Sequence, residues 1–289
     1  MTAALSASRI GLRSVPRLHF PVLAGAVLLA GLIVLTVFGS AFAPYRATAL
    51  SGPPLAAPGG GHLLGTNALG QDVTSQLILG SQASVLVAVL AGAGTVLIGA
   101  IVGVAAGWFG GLTEAALMRF TDLVLVLPKL PLLLLVGALT GGSIGTLSIL
   151  LAATFWPVTA RVLRSQVLTL RGRTHVRAAA GFGAGSWHQL RRHILPDLAL
   201  LMIAEFIPAA GHAVALQAGL AFLGIGDPTQ PSWGTMMRDA LAYPALFITS
   251  AWTWWLLPPI IAIVVLVVLI TLLGTSAERH LIPRLGRHQ

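Results

Sequence analysis

Five polar side chains stand inside long apolar stretches of this sequence: Asp122, Lys129, Glu205, His212 and Gln217. A charge in hydrocarbon costs about 2.5–3.5 kcal/mol on insertion scales, so such groups face protein or a water-filled path. Carboxylates and an imidazole so placed could relay protons or ions, or line a passage. Asp122 and Lys129 are seven residues apart, on one face of a straight helix but about 10 Å along its axis, too far to pair directly without a kink at the proline. Lining a cavity and meeting a neighbouring subunit are both open to them. Glu205 and His212 repeat the spacing, which is too wide to chelate a metal by themselves.

Other chemistries lack their residues. Lys129 is the only lysine, inside an apolar stretch and preceded by proline, so no G-x-x-x-x-G-K-[ST] phosphate loop exists and ATP is not hydrolysed by this chain. No H-E-x-x-H occurs, the eight histidines form no ligand spacing, and no metal is expected. G-x-S-x-G occurs at Gly141 to Gly145, but in a turn between two apolar runs and not at the strand-to-helix turn that a serine nucleophile needs. Without cysteine there is no disulfide, haem-thiolate or thiolate zinc site.

The elements that position these groups follow from composition. The chain has 289 residues, 56% hydrophobic and 9% charged, with mean hydropathy +0.90. A soluble globule carries about 25% charged residues, so this is an integral, all-α membrane protein in a lipid bilayer. Six transmembrane helices are expected, near 20–42, 84–108, 117–139, 144–163, 198–223 and 251–274. Ala41-Phe42-Ala43 could pass for a signal-peptidase site, but the first run is about 23 residues, longer than the h-region of a signal peptide. The formal charge of +9 does not point to nucleic acid, because the arginines cluster at the ends and in one loop, as the positive-inside rule demands. Arginines 9, 13, 17, 119, 161, 164, 171, 173, 177, 191, 192, 279, 284 and 287 fall on one side, and only 46 and 238 on the other. The boundaries expected are a cytoplasmic N-terminus at 1–19, a membrane domain at 20–274 with a loop at 165–197, and a cytoplasmic tail at 275–289.

Glycines at 99, 103, 107 and 111 form a tandem G-x-x-x-G ladder that should let a second helix approach closely. The long polar interruption runs from Arg171 to Asp197. Val176 to Phe182 should be helical and broken by glycines 181, 183 and 185. A second helix is expected from Ser186, with Ser186 and Gln189 as a capping box and Pro196 at its end. Trp187, Leu190 and Ile194 then form one apolar stripe.

This loop resembles that of the inner-membrane permease subunits of binding-protein-dependent ABC importers, whose signature is E-A-A, three residues, G, nine residues, I-x-L-P. Arg177, Ala178, Ala179, Gly183, His193, Leu195 and Pro196 hold the signature positions with the spacing intact, and Arg177 stands where the family carries a glutamate. His193-Ile194-Leu195-Pro196 is similar to the dipeptide, oligopeptide and nickel branch. Two further stretches resemble it in the same order. His62, Leu64, Gly65, Thr66, Gly70 and Asp72 match the H-x-L-G-T-D-x-x-G-R-D segment, with Asn67 and Gln71 departing; on its own this stretch reads as an amphipathic helix packing the fold. Leu220 to Gly226 and Pro231-Ser232-Trp233-Gly234 are similar to the elements that follow the fifth span.

The resemblance implies a six-span, non-catalytic permease of the bacterial cytoplasmic membrane, with both termini cytoplasmic and a coupling loop between spans 4 and 5. It implies a homologous second permease, two ATPase subunits or domains carrying ATP and Mg, and an extracytoplasmic binding protein that delivers di- or oligopeptides, with nickel or another small ligand as the alternative solute. The loop helix around Arg177 to Gly183 would dock on the ATPase. Glu205 on the fifth span would then line the path, or be a buried hydrogen-bonded group. An ion-driven secondary transporter with Asp122, Glu205 and His212 as relay competes with this reading, but it predicts an inverted hydropathy repeat that is not present.

Overall fold

The structure, a computed structural model, describes residues 30–31, 34, 36–227 and 230–286, with side chains through residue 274. Most of the expected first span and the stretch 1–19 lie outside the described residues. The described chain is helical, with only isolated β-bridges in the loop before residue 73. Among the described residues, four helices are long and apolar enough to cross a membrane, and a bent pair could form a fifth span.

The first long helix, α1 (Val73–Phe109), begins earlier than hydropathy alone suggests. Asp72 is the reason: its Oδ2 accepts from the Ser75 amide at 2.7 Å and caps the helix start. The same carboxylate meets His62 Nδ1 at 2.9 Å, and Asn67 Oδ1 accepts from the amides of Leu69 and Gln71. Residues 62–72 are therefore a hydrogen-bonded knot rather than an amphipathic helix, and 73–85 belong to α1.

The expected third span at 117–139 is two helices, α2 (Gly111–Val126) and α3 (Lys129–Thr140), bent by 81°. Pro128 causes the break. A residue before proline is pushed out of the helical region, and Leu127 sits at φ −61°, ψ 134°. The bend separates Asp122 from Lys129, so the shared face expected for them does not exist.

Helix α4 (Ile144–Arg171) runs two turns past the expected span. The glycine ladder lies against it, as a small-residue face should. A Cβ on Gly103 would come within 2.4 Å of the Ala160 carbonyl oxygen, and one on Gly99 within 2.9 Å of Thr159. Gly111 is not a rung: it starts α2 at φ +56° and a Cβ there would meet nothing.

After the short α5 (Thr174–Gly181), α6 runs unbroken from Ser186 to Phe222. Pro196 does not end it. A π-helical turn at Leu190–Ile194 precedes the proline, and the Leu195 amide reaches back five residues to the Leu190 carbonyl. That wider turn takes up a residue that has no amide proton and would crowd an α-helical carbonyl. Helices α7 (Trp233–Leu241) and α8 (Leu257–Gly286) complete the described chain. Ser232 and Thr235 form a capping box on α7, and Trp233 donates to the Leu77 carbonyl at 3.0 Å, tying α7 to α1. The helix α8 continues through the expected tail to Gly286.

Candidate functional site

Two places gather the residues singled out by sequence. The first is the loop between α4 and α6. Val176 in α5 is 3% exposed and packs with Leu170, Leu190, Ile194 and Leu198 in one apolar cluster. Polar ties hold its flanks: Arg171 donates to the Gly107 carbonyl at 2.8 Å and lies over the Trp108 ring, and Arg173 reaches Asp197 at 3.4 Å. Arg164 pairs with Glu114 just below. The loop is thus a fixed projection, held by its own apolar underside.

Its outer surface carries the signature. Arg177, Ala178, Gly183 and Pro196 are exposed, while Ala179, His193 and Leu195 are half-buried. Gly183 adopts φ +83°, a conformation that L side chains rarely accept, with open space around it. A larger residue there is therefore opposed by backbone strain and not by overfilling. The His193 ring lies between those of His175 and His188, with centroids 6.0 and 6.1 Å away.

Two expectations fail at this loop. Gly185, not Ser186, is the cap residue of α6, and Gln189 Nε2 donates to the Ala184 carbonyl at 2.6 Å instead of closing a capping box. Trp187 leaves the stripe: Leu190 and Ile194 are buried, but Trp187 is 69% exposed, one turn beyond the end of the apolar cluster. Phe182, which the periodicity did not single out, is 92% exposed. The available signal was its place between two turn glycines, where a large apolar side chain has no core to enter. Phe182, Trp187 and Arg177 together give the loop an aromatic and cationic surface, the composition of a protein-docking site.

The second place is a cavity of about 580 Å³ between α1, α3, α4 and α6, lined by Thr95, Lys129, Phe155, Thr159, Glu205 and His212 among others. The structure brings three of the five intramembrane polar residues here. Lys129 Nζ lies 4.5 Å from the centre of the Phe155 ring, and Thr159 donates to Glu205 at 3.2 Å. The other two go elsewhere. Asp122 accepts from Arg161 at 2.6 Å, joining α2 to α4 on a half-exposed surface. Gln217 is 3% exposed and accepts from Ser84 at 3.3 Å, a packing contact between α6 and α1.

Residues 99–287 match the family model described as a binding-protein-dependent transport system inner membrane component. The oligopeptide transport system permease protein OppC of Mycobacterium tuberculosis is 35% identical over 229 residues, which is 78% of this chain and 77% of that protein. OppC of Lactococcus lactis is 33% identical over 76% of this chain and 74% of its own length. A Brucella suis protein named as a candidate peptide permease is 32% identical over 262 residues, 90% of this chain and 86% of its own. These matches, with the apolar helices described above, make it a multi-pass inner-membrane transport component: the chain belongs to the binding-protein-dependent transport system inner membrane component family.

Proposed function

We propose that this chain is one of two permease subunits of an ATP-driven importer of di- or oligopeptides. The observation that carries this reading is the fixed projection at 165–197, whose exposed Phe182, Trp187 and Arg177 offer a surface for a separate ATPase subunit. A helix packed underneath by Val176 and Ile194 can pass a push from that partner into α4 and α6. Ala178, Ala179, Gly183, His193, Leu195 and Pro196 shape this coupling surface.

Six spans complete the subunit, with 20–42 as the first, residues 1–19 and 275–289 cytoplasmic, and the loop on the same side. The bent pair α2 and α3 serves as one span. ATP and Mg are held by two ATPase subunits and not by this chain, which is non-catalytic. A homologous second permease closes the path, and an extracytoplasmic binding protein delivers the solute. Peptides are favoured as the solute because the relatives named as oligopeptide or peptide permeases match along most of their length.

The test is purification of the tagged chain from membranes in mild detergent, with its companions identified and ATPase activity measured. Recovery of a Walker-motif ATPase and a second multi-span subunit, with peptide uptake that follows ATP, is the expected result. Recovery of the chain alone, with uptake that tracks the proton gradient, would overturn it.

A further inference from the structure

The cavity between α1, α3, α4 and α6 carries unlike charges on different helices. Lys129 is the first residue of α3, and its cap residue is Pro128, which has no side-chain acceptor for the free amides of that helix start. The ammonium group and the partial positive charge of the helix N-terminus therefore act on the same wall. Phe155 beneath the ammonium holds it at 4.5 Å without neutralising it. From α6, Glu205 contributes a carboxylate oriented by the Thr159 hydroxyl, and His212 lies two turns further along the same lining. Pro208 and Leu216 make the remaining surface apolar.

We propose that this cavity is a subsite for the zwitterionic backbone of a short peptide, with Lys129 taking its C-terminal carboxylate and Glu205 its N-terminal ammonium. The inference rests on the peptide-importer reading above and names what touches the cargo. A volume of about 580 Å³ falls within the roughly 300–1,000 Å³ of small-ligand sites. An anionic solute would meet Glu205 and a cationic one Lys129, each a like charge in a lining that screens poorly. A solute with one charge of each sign satisfies both walls. The apolar remainder accepts varied side chains, so recognition falls on the termini that all peptides share.

The experiment uses the intact transporter, with its partner subunits, in nanodiscs and without binding protein. Saturation-transfer NMR reports binding of dialanine, of its C-terminal amide and of its N-acetyl derivative. With the wild-type chain, dialanine binds, and blocking either terminus weakens binding about tenfold, the loss expected for one charge-assisted contact. Lys129→Gln removes the discrimination against the amide and keeps that against the acetyl derivative; Glu205→Gln does the reverse. Equal transfer to all three probes in the wild type overturns the proposal without any variant being needed. No transfer at all overturns it as well, and means that lipid or a neighbouring helix fills the cavity. Variants that weaken all three probes alike assign the two residues a structural role. Peptide uptake by the same transporter reconstituted into proteoliposomes, with its binding protein and ATP, separates the two levels: uptake without terminus effects removes this subsite alone, and no peptide uptake removes the importer reading.

Discussion

Gly103 is where the packing between α1 and α4 can be tested most sharply. An added Cβ would lie 2.4 Å from the Ala160 carbonyl oxygen, against the 3.4 Å at which ordinary contact begins. The obstacle is backbone, so no rotamer change relieves it, and the two helices must part by about 1 Å. A gap of that size forfeits a quarter to a half of each dispersion contact along the seam. Gly103→Ala should therefore cost about 2–3 kcal/mol, the upper part of the overpacking range. At Gly99 and Gly107 the nearest atoms, on Thr159 and Val167, stand at 2.9 Å, so the helices need part by only about 0.5 Å and the same change there should cost about 1–2 kcal/mol. Gly219, inside α6, has nothing within 4 Å of an added Cβ and is the control. Its alanine variant should be neutral or gain up to about 1 kcal/mol of helix propensity. Thermal unfolding of the detergent-purified chains, followed by the monodisperse fraction left after heating, gives the ranking. A Gly103→Ala protein that survives as well as Gly219→Ala would refute the close-packed seam.

Four other outcomes follow from the geometry. Gly183→Leu forces a branched residue into φ +83° at about 1–2 kcal/mol; the chain should still assemble, with substrate-stimulated ATPase activity reduced, whereas Gly183→Asn should retain most of it. Phe182→Ala with Trp187→Ala should leave thermal stability unchanged and weaken affinity for the ATPase by roughly a thousandfold, since exposed aromatic anchors carry about 2 kcal/mol each when they dock; full ATPase recovery in pull-downs would remove them from the interface. Arg177→Glu should abolish co-purification of the ATPase if its cleft is acidic at this point, and intact assembly and coupling would discard that polarity. Asp72→Ala deletes the cap of α1 and the partner of His62, both buried, and should lower stability by about 2–3 kcal/mol, with Asp72→Asn retaining the cap and losing less.

Local rules read well where one residue decides the outcome. The glycine seam followed from a four-residue period that any helix converts into a flat face. Proline in the third apolar run signalled a kink, although not that it would reach 81° and strand Asp122 and Lys129 on different surfaces. The limits lie where neighbours decide. Pro196 looked like a stop, because the π turn that accommodates it has no composition of its own. Trp187 fitted the stripe by angle, but a stripe buries only as far as the apolar cluster beneath it extends. The knot at 62–72 depends on hydrogen bonds across ten residues, which periodicity does not register. The cavity joins four helices, and only folding shows that Lys129 shares it with Glu205 and His212 while Asp122 and Gln217 do not.

The length of α6 has a mechanical consequence. One continuous helix carries Trp187 at the exposed loop and Glu205 in the cavity wall, eighteen residues or about 27 Å along the axis. A tilt of about ten degrees around the Trp187 end would sweep Glu205 sideways by roughly 5 Å over that arm. Displacements of that order exceed the reach of a hydrogen bond. A modest rocking imposed at the loop would be enough to break and remake every polar contact in the cavity.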